Sequence, residues 1–174
     1  MKLILLFISV AFLFSCQRET KFKTVKHFNV YSIDVPENFK ELIFLGSNSD
    51  FHLGNKPDDF YITITTENIK ELKEVGLDYD LETYASLGVT SNSNNLQIGD
   101  LINIDEKVVI ANRMKKKSAH IISNDKLTNQ SAFNYLSFYK SKSNFYVIAT
   151  WCSTENQSKY QNIMKRMHDS FKEL

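Results

Sequence analysis

Apolar and polar positions alternate with a period of two along much of the chain, and that period is the signature of strands. Phe28 and Val30 point one way with Tyr31 and Ile33 opposite, which predicts a strand over 27–34 ended by Pro36. A shorter apolar run follows over 41–45, and Gly46 to Asp59, rich in Gly, Asn, Ser and Asp, reads as an extended loop. Phe60-Tyr-Ile-Thr-Ile-Thr65 is β-branched or aromatic throughout and predicts a second strand. Asp80 is placed to cap a helix over 81–94, whose end is weakened by Gly88 and the polar cluster Ser91–Asn95.

More strands are expected after Leu96. Val108–Asn112 and Ala119–Ile122 flank the basic run Arg113-Met-Lys115-Lys116-Lys117. Phe133–Tyr139 and Phe145–Cys152 are joined by Lys140–Asn144, a hairpin loop. Both strands of this hairpin are apolar on both sides. An antiparallel sheet with one wet face would alternate cleanly, so both faces must be covered. Thr154-Glu-Asn-Gln157 fits a capping box, and Tyr160, Ile163, Met164, Met167, Phe171 and Leu174 then recur at helical spacing. This helix would cover one face and the helix at 81–94 the other. The expected fold class is α+β: one domain over 27–174, an antiparallel β-sheet sandwiched between helices.

The N-terminus carries a different pattern. Lys2 precedes an apolar run from Leu3 to Phe14, 12 residues long and interrupted only by Ser9. A helix needs about 20 residues to span a bilayer, so the run fits the apolar region of a secretory signal peptide instead. The next residues, Leu13-Phe-Ser-Cys16, resemble the lipobox of bacterial lipoproteins, in which the Cys becomes the lipidated first residue of the mature chain. Phe14 departs from the small or aliphatic residue usual there. The expectation is a signal peptide over 1–15, acyl chains (palmitate among them) on Cys16, and a polar tether over 16–26. Two or three acyl chains hold durably where one does not, because each buried CH₂ contributes about 0.8 kcal/mol.

Charge narrows the partners. Loss of residues 1–15 removes Lys2 and leaves equal numbers of basic and acidic side chains. A near-neutral body has no global field to gather a polyanion, so nucleic acid is not an expected partner. At 43% hydrophobic and 24% charged, the composition is that of a folded domain and not of a disordered chain. Of the two cysteines, Cys16 is assigned to lipid, which leaves Cys152 without an intramolecular partner.

The segment Tyr31-Ser-Ile-Asp-Val-Pro36-Glu-Asn-Phe39, the two-sided late hairpin and a closing helix ending Ser170-Phe171 resemble the PsbP-like family, over residues 28–172. The resemblance implies a PsbP-like α/β/α sandwich, and a class of small lumenal or periplasmic domains that mostly assist the assembly of membrane complexes. It transfers no functional residue. The Asn- and Lys-rich, Pro-poor composition is similar to that of lipoproteins of Bacteroidota, and Gln17 after the lipidated Cys implies, by that analogy, the outer membrane facing the periplasm.

The chemistry-bearing residues are scattered. His27, His52, His120 and His168 stand alone, without the paired spacing that zinc ligation uses. Asp50, His52, Asp58 and Asp59 surround a Gly-containing loop but lack the EF-hand register, and we read them as solvated carboxylates. Cys152 precedes a helix start that would stabilise a thiolate, with a histidine as base; packed beneath the helix it would instead be inert, the reading we favour. Nucleophile-elbow, phosphate-loop and dinucleotide patterns are absent from the sequence, and no cofactor is expected. Arg113, Lys115, Lys116 and Lys117 are candidate contacts for a partner or for lipid headgroups, against the alternative of gatekeepers that keep a strand edge soluble. The aromatics Tyr135, Phe138, Tyr139, Phe145, Tyr146 and Trp151 line either a groove or a core.

Two functional readings follow. The first is a non-enzymatic, lipid-anchored envelope domain that binds another envelope protein or assists assembly of a membrane complex. The alternative is a small-molecule or lipid carrier or sensor with a pocket between sheet and helix, for which an enclosed cavity above about 300 Å³ would speak.

Overall fold

A computed structural model describes residues 19–43, 49–95, 97–124 and 130–174. The elements, in order, are β1 (Phe22–His27), β2 (Tyr31–Pro36), β3 (Lys40–Glu41), β4 (Phe51–Asn55), β5 (Phe60–Asn68), α1 (Ile69–Glu74), α2 (Leu81–Asn95), β6 (Gln97–Ile104), β7 (Val109–Ala111), β8 (Met114–Asn124), β9 (Ser131–Lys140), β10 (Asn144–Ser153), α3 (Gln157–Ser170) and β11 (Lys172–Glu173). All strand pairs are antiparallel. The large sheet runs β3-β4-β5-β10-β9-β8-β6, with β7 also on β8; a small one runs β1-β2-β11.

The period-two hairpin builds the centre. Phe133, Tyr135 and Tyr139 of β9 join Tyr146, Ile148 and Cys152 of β10 on one face, where Tyr160, Met164, Met167 and Phe171 cover them. Leu136 and Phe138 with Phe145 occupy the other face, against Leu81, Tyr84, Ala85 and Val89 of α2. The expected sandwich is therefore present, with one addition. The small sheet shares the first face with α3, burying Tyr31, Ile33 and Val35 in the same cluster.

Five local expectations are corrected. The single strand over 27–34 is a hairpin: Phe28 and Asn29 both take left-handed φ (42° and 56°), and the Val30 amide closes the turn on the His27 carbonyl at 2.8 Å. The last part of the expected tether is thus strand β1, an edge strand that exposes Lys23 and Lys26. The loop expected over 46–59 contains β4, paired with β5 from Phe51↔Ile64 to Asn55↔Phe60. The capping box does not form: a turn of 3₁₀ helix over Thr154–Asn156 precedes α3, and Asn156, the N-cap, makes no side-chain capping bond. Leu174 lies beyond the helix and is exposed, because α3 stops at Ser170 and the chain turns into β11.

The cap on α2 forms as expected, the Asp80 carboxylate accepting from the Thr83 amide at 2.7 Å. Gly88 has a packing reason that its helix-weakening character does not suggest. A Cβ there would stand 2.5 Å from Cε1 of Phe138, a fully buried ring, so the absent side chain lets α2 lie directly on the sheet.

Candidate functional site

Strand pairing stacks polar residues in rows beneath α3. His120 of β8 lies opposite Tyr135 of β9, which lies opposite Thr150 of β10; the next row is Ser118, Ser137, Ile148. His168 descends from α3 onto these rows and is wholly buried. Its Nδ1 lies 2.7 Å from Ser137 Oγ and its Nε2 lies 3.0 Å from Thr150 Oγ1. Thr150 Oγ1 is also 3.3 Å from the Tyr135 carbonyl, which only accepts. All three contacts are hydrogen bonds in one direction alone. Thr150 donates to the carbonyl, His168 Nε2–H donates to Thr150, and the Ser137 hydroxyl donates to Nδ1, so His168 is the neutral Nε2–H tautomer. Burial depresses its pKa well below the ordinary value, with the Lys116 charge and then His120 adding to the effect.

A serine 2.7 Å from a histidine has the geometry of a nucleophile and its base. Here Ser137 and His168 both have zero exposure, and no carboxylate orients the ring. A substrate carbonyl has no route to the Ser137 oxygen, so the pair is a packed polar core and not a catalytic one.

Outward of this core lies a cleft of about 360 Å³ between β8, β9 and α3, lined by Asp105, Lys116, His120, Tyr135, Lys165 and Asp169 among others. Three of its charges form one network. Lys116, 5% exposed, places Nζ 2.7 Å from Asp169 Oδ1, and Lys165 reaches the other oxygen of the same carboxylate. Burial pushes the Asp169 carboxyl up, the two lysines pull it down harder, and its pKa ends below the usual value. His120 Nε2 is buried and takes no hydrogen bond among the described residues, and burial lowers its pKa against a smaller opposing pull from Asp105. A second cleft, about 890 Å³, lies beyond the N-terminal half of α3 and is walled by Phe39, Asp58, Phe60, Lys159 and Tyr160. Both clefts open to solvent.

The other sequence candidates separate. Strand alternation divides the basic run: Lys116 turns under α3, while Lys117 faces α2 and lies 3.9 Å from Glu82. Lys115 is exposed, and Arg113 sits in the β7–β8 turn at φ 69°. The run is therefore not one patch. Cys152 is fully buried opposite Phe60 and Phe133, and burial, with a smaller push from Asp59, raises its thiol to about 11. That is the inert reading of this residue. The Asp50 carboxylate accepts from the Thr66 amide and Asp58 pairs with Lys159, while His52 Nε2 is 2.8 Å from the Ser49 carbonyl. Among the described residues no three His, Cys, Asp or Glu side chains converge as a metal site would require. Of the six aromatics named above, only Trp151 is partly exposed, stacked on Tyr61; the rest are core. Cys16 lies outside the described residues.

Comparison with known proteins adds the fold family. No protein-family model and no curated protein sequence matches the chain. Solved structures do. The cyanobacterial PsbP of Synechocystis sp. PCC 6803 superposes with TM-score 0.59 at 12% identity, over 91% of this chain and 97% of that one. The fold is that of PsbP and Mog1. The Ran-binding protein Mog1p of Saccharomyces cerevisiae gives TM-score 0.56 at 12% identity, covering 88% of this chain and 95% of its own. LpqN of Mycobacterium tuberculosis, described as involved in cell envelope biogenesis, gives 0.53 at 10% identity, covering 90% and 92%. The expected PsbP-like sandwich is thus the observed one, and at these identities the likeness extends to fold alone.

Proposed function

We propose that this protein is a non-enzymatic cell-envelope lipoprotein, held by acyl chains on Cys16, whose PsbP-like domain binds another envelope protein. One observation supports the non-enzymatic part: the nucleophile candidates discussed above, Ser137 with its neighbour His168, and Cys152, are sealed in the core at zero exposure. The apolar run Leu3–Phe14 followed by Ser15-Cys16 supports the anchor. The protein-binding part draws on analogy with two structures of the same fold, one described as Ran-binding and one as involved in envelope biogenesis. Crosslinking in intact envelopes followed by pull-down tests the whole reading. The expected result is a membrane-retained chain joined to a specific envelope protein; a freely soluble chain joined to nothing contradicts it.

A second reading keeps one observation in its favour. The cleft under α3 lies where a carrier's pocket was expected, and His120 Nε2 has no partner among the described residues. A small hydrogen-bonding ligand there would shift the imidazole resonances of His120; unchanged resonances across a metabolite panel argue against it.

A further inference from the structure

The cleft under α3 has two walls of opposite charge that do not meet. On one wall Gln161, Lys165 and Asp169 recur every four residues along α3 and so share a face. Lys116 and Lys165 divide the single Asp169 carboxylate between them, which leaves this wall one positive charge in excess. On the other wall stands Asp105, one residue past the end of β6, its amide donating to the Ser118 carbonyl at 2.9 Å. The half-buried Asp105 carboxylate makes no hydrogen bond and no ion pair among the described residues. Glu106 and Lys107 beside it are exposed and do not line the cleft.

The floor between the walls is uncharged. His120 lies opposite Tyr135 with the ring centroids 4.4 Å apart, and burial keeps the imidazole neutral by lowering its pKa. Its Nε2 is buried without a partner among the described residues. The Lys165 ammonium is held above its usual pKa mainly by Asp169, with a small further pull from Asp105 across the cleft. Asp105 and Lys165 therefore face one space without closing into an ion pair. A pair that served the fold alone would be closed, because attraction falls with distance and a half-buried polar group left unpartnered is costly. Each such group in a folded protein calls for an explanation, and here two stand at one cleft.

We infer that this cleft binds a small zwitterion of amino-acid type, its ammonium against Asp105 and its anionic group against Lys165. The two walls select for both charges at once. A plain anion would leave Asp105 without a partner, and a plain cation would leave the excess lysine charge unmatched. A volume of about 360 Å³ accommodates a molecule of this size, with water bridging what it does not touch. The inference rests on the carrier reading of the cleft and adds to it the charge pattern of the ligand. Free amino acids carry that pattern, and so does the glycerophosphoethanolamine headgroup of a membrane lipid.

The test is titration of the full-length protein in detergent with the twenty amino acids and with glycerophosphoethanolamine, read by calorimetry and by the imidazole resonances of His120. At least one zwitterion should bind saturably and move those resonances. Removing either of its charges, by N-acetylation or by conversion of a carboxylate to the carboxamide, should weaken binding roughly tenfold. Asp105→Asn should weaken the zwitterion by a similar factor and leave the N-acetyl derivative unaffected, and Lys165→Met should do the same with respect to the carboxamide. Should a variant fail to fold, the comparison of derivatives on the wild-type chain decides alone. Tighter binding of the amino acid or of the headgroup analogue identifies the source. Equal binding of the charged and neutralised forms overturns the inference and leaves the carrier reading standing. Saturable binding of uncharged metabolites in place of any zwitterion does the same, whereas silence from every zwitterion and every uncharged metabolite overturns both.

Discussion

Ser137 Oγ and His168 Nδ1 meet at 2.7 Å with neither side chain reaching solvent. The contact lies in a polar interior under α3 whose burial keeps the imidazole neutral, and that environment has measurable consequences.

The first is a pH dependence of stability. The folded-state pKa of His168 is depressed, so its contribution is complete above the unfolded pKa, ordinarily near 6.5, and is lost as pH falls below it. Each unit of acidification below about 6 should cost up to roughly 1.4 kcal/mol, since unfolding lets this ring take a proton. His120, depressed in the same direction, adds a smaller share. Chemical denaturation from pH 7.5 to 5 should show the decline, and His168→Asn should flatten most of it while lowering stability at neutral pH. An unchanged slope in the variant would refute the assignment.

The second concerns the ion pair next to it. Lys116 is 5% exposed and depends on Asp169 at 2.7 Å. Asp169→Ala strands the amine, and loss of a partner at a buried pair costs about 3–5 kcal/mol; half-exposure of the Asp169 carboxylate places this pair at or below the low end. Lys116→Met, which keeps the bulk and removes the charge, should cost much less. Urea midpoints for the two variants decide it.

Gly88→Ala should destabilise although alanine is the better helix former. The gain in propensity is about 1 kcal/mol, whereas forcing a methyl to within 2.5 Å of the Phe138 ring costs typically 1–3 kcal/mol. A lowered melting temperature is expected, and a raised one would show that α2 sits further from the sheet.

Cys152 should resist iodoacetamide in the native protein and react promptly once the chain is unfolded, because its thiol is sealed and raised to about 11. Cys152→Ser should leave localisation and partner binding intact. Rapid native alkylation would restore the nucleophile reading.

The sandwich was legible where the sequence is redundant. β9 and β10 are apolar at both parities, and the stripe Tyr160, Met164, Met167 completes the argument without any knowledge of contacts. β1 was not legible, because an edge strand can afford Lys23 and Lys26, and its turn uses Phe28-Asn29 where glycine would have announced it. β4 was hidden by Gly54, whose missing Cβ makes room for the Tyr61 ring and the Phe60 carbonyl. The polar core left a fainter trace. Ser137 and Thr150 interrupt otherwise apolar strands, and a buried hydroxyl requires a partner. Counting His168 with its helix stripe would have supplied that partner. The basic run reads as one patch in the sequence only because alternation sends Lys116 and Lys117 to opposite faces.

The account depends most on the sulfur of Cys16. Metabolic labelling with an alkyne palmitate, read together with the intact mass of protein from the membrane fraction, measures it directly. Label and added acyl mass on the wild-type chain, both lost together with membrane retention in Cys16→Ala, are the predicted result. A wild-type chain that is unlabelled, soluble and of unmodified mass would contradict the anchor and the envelope role built on it.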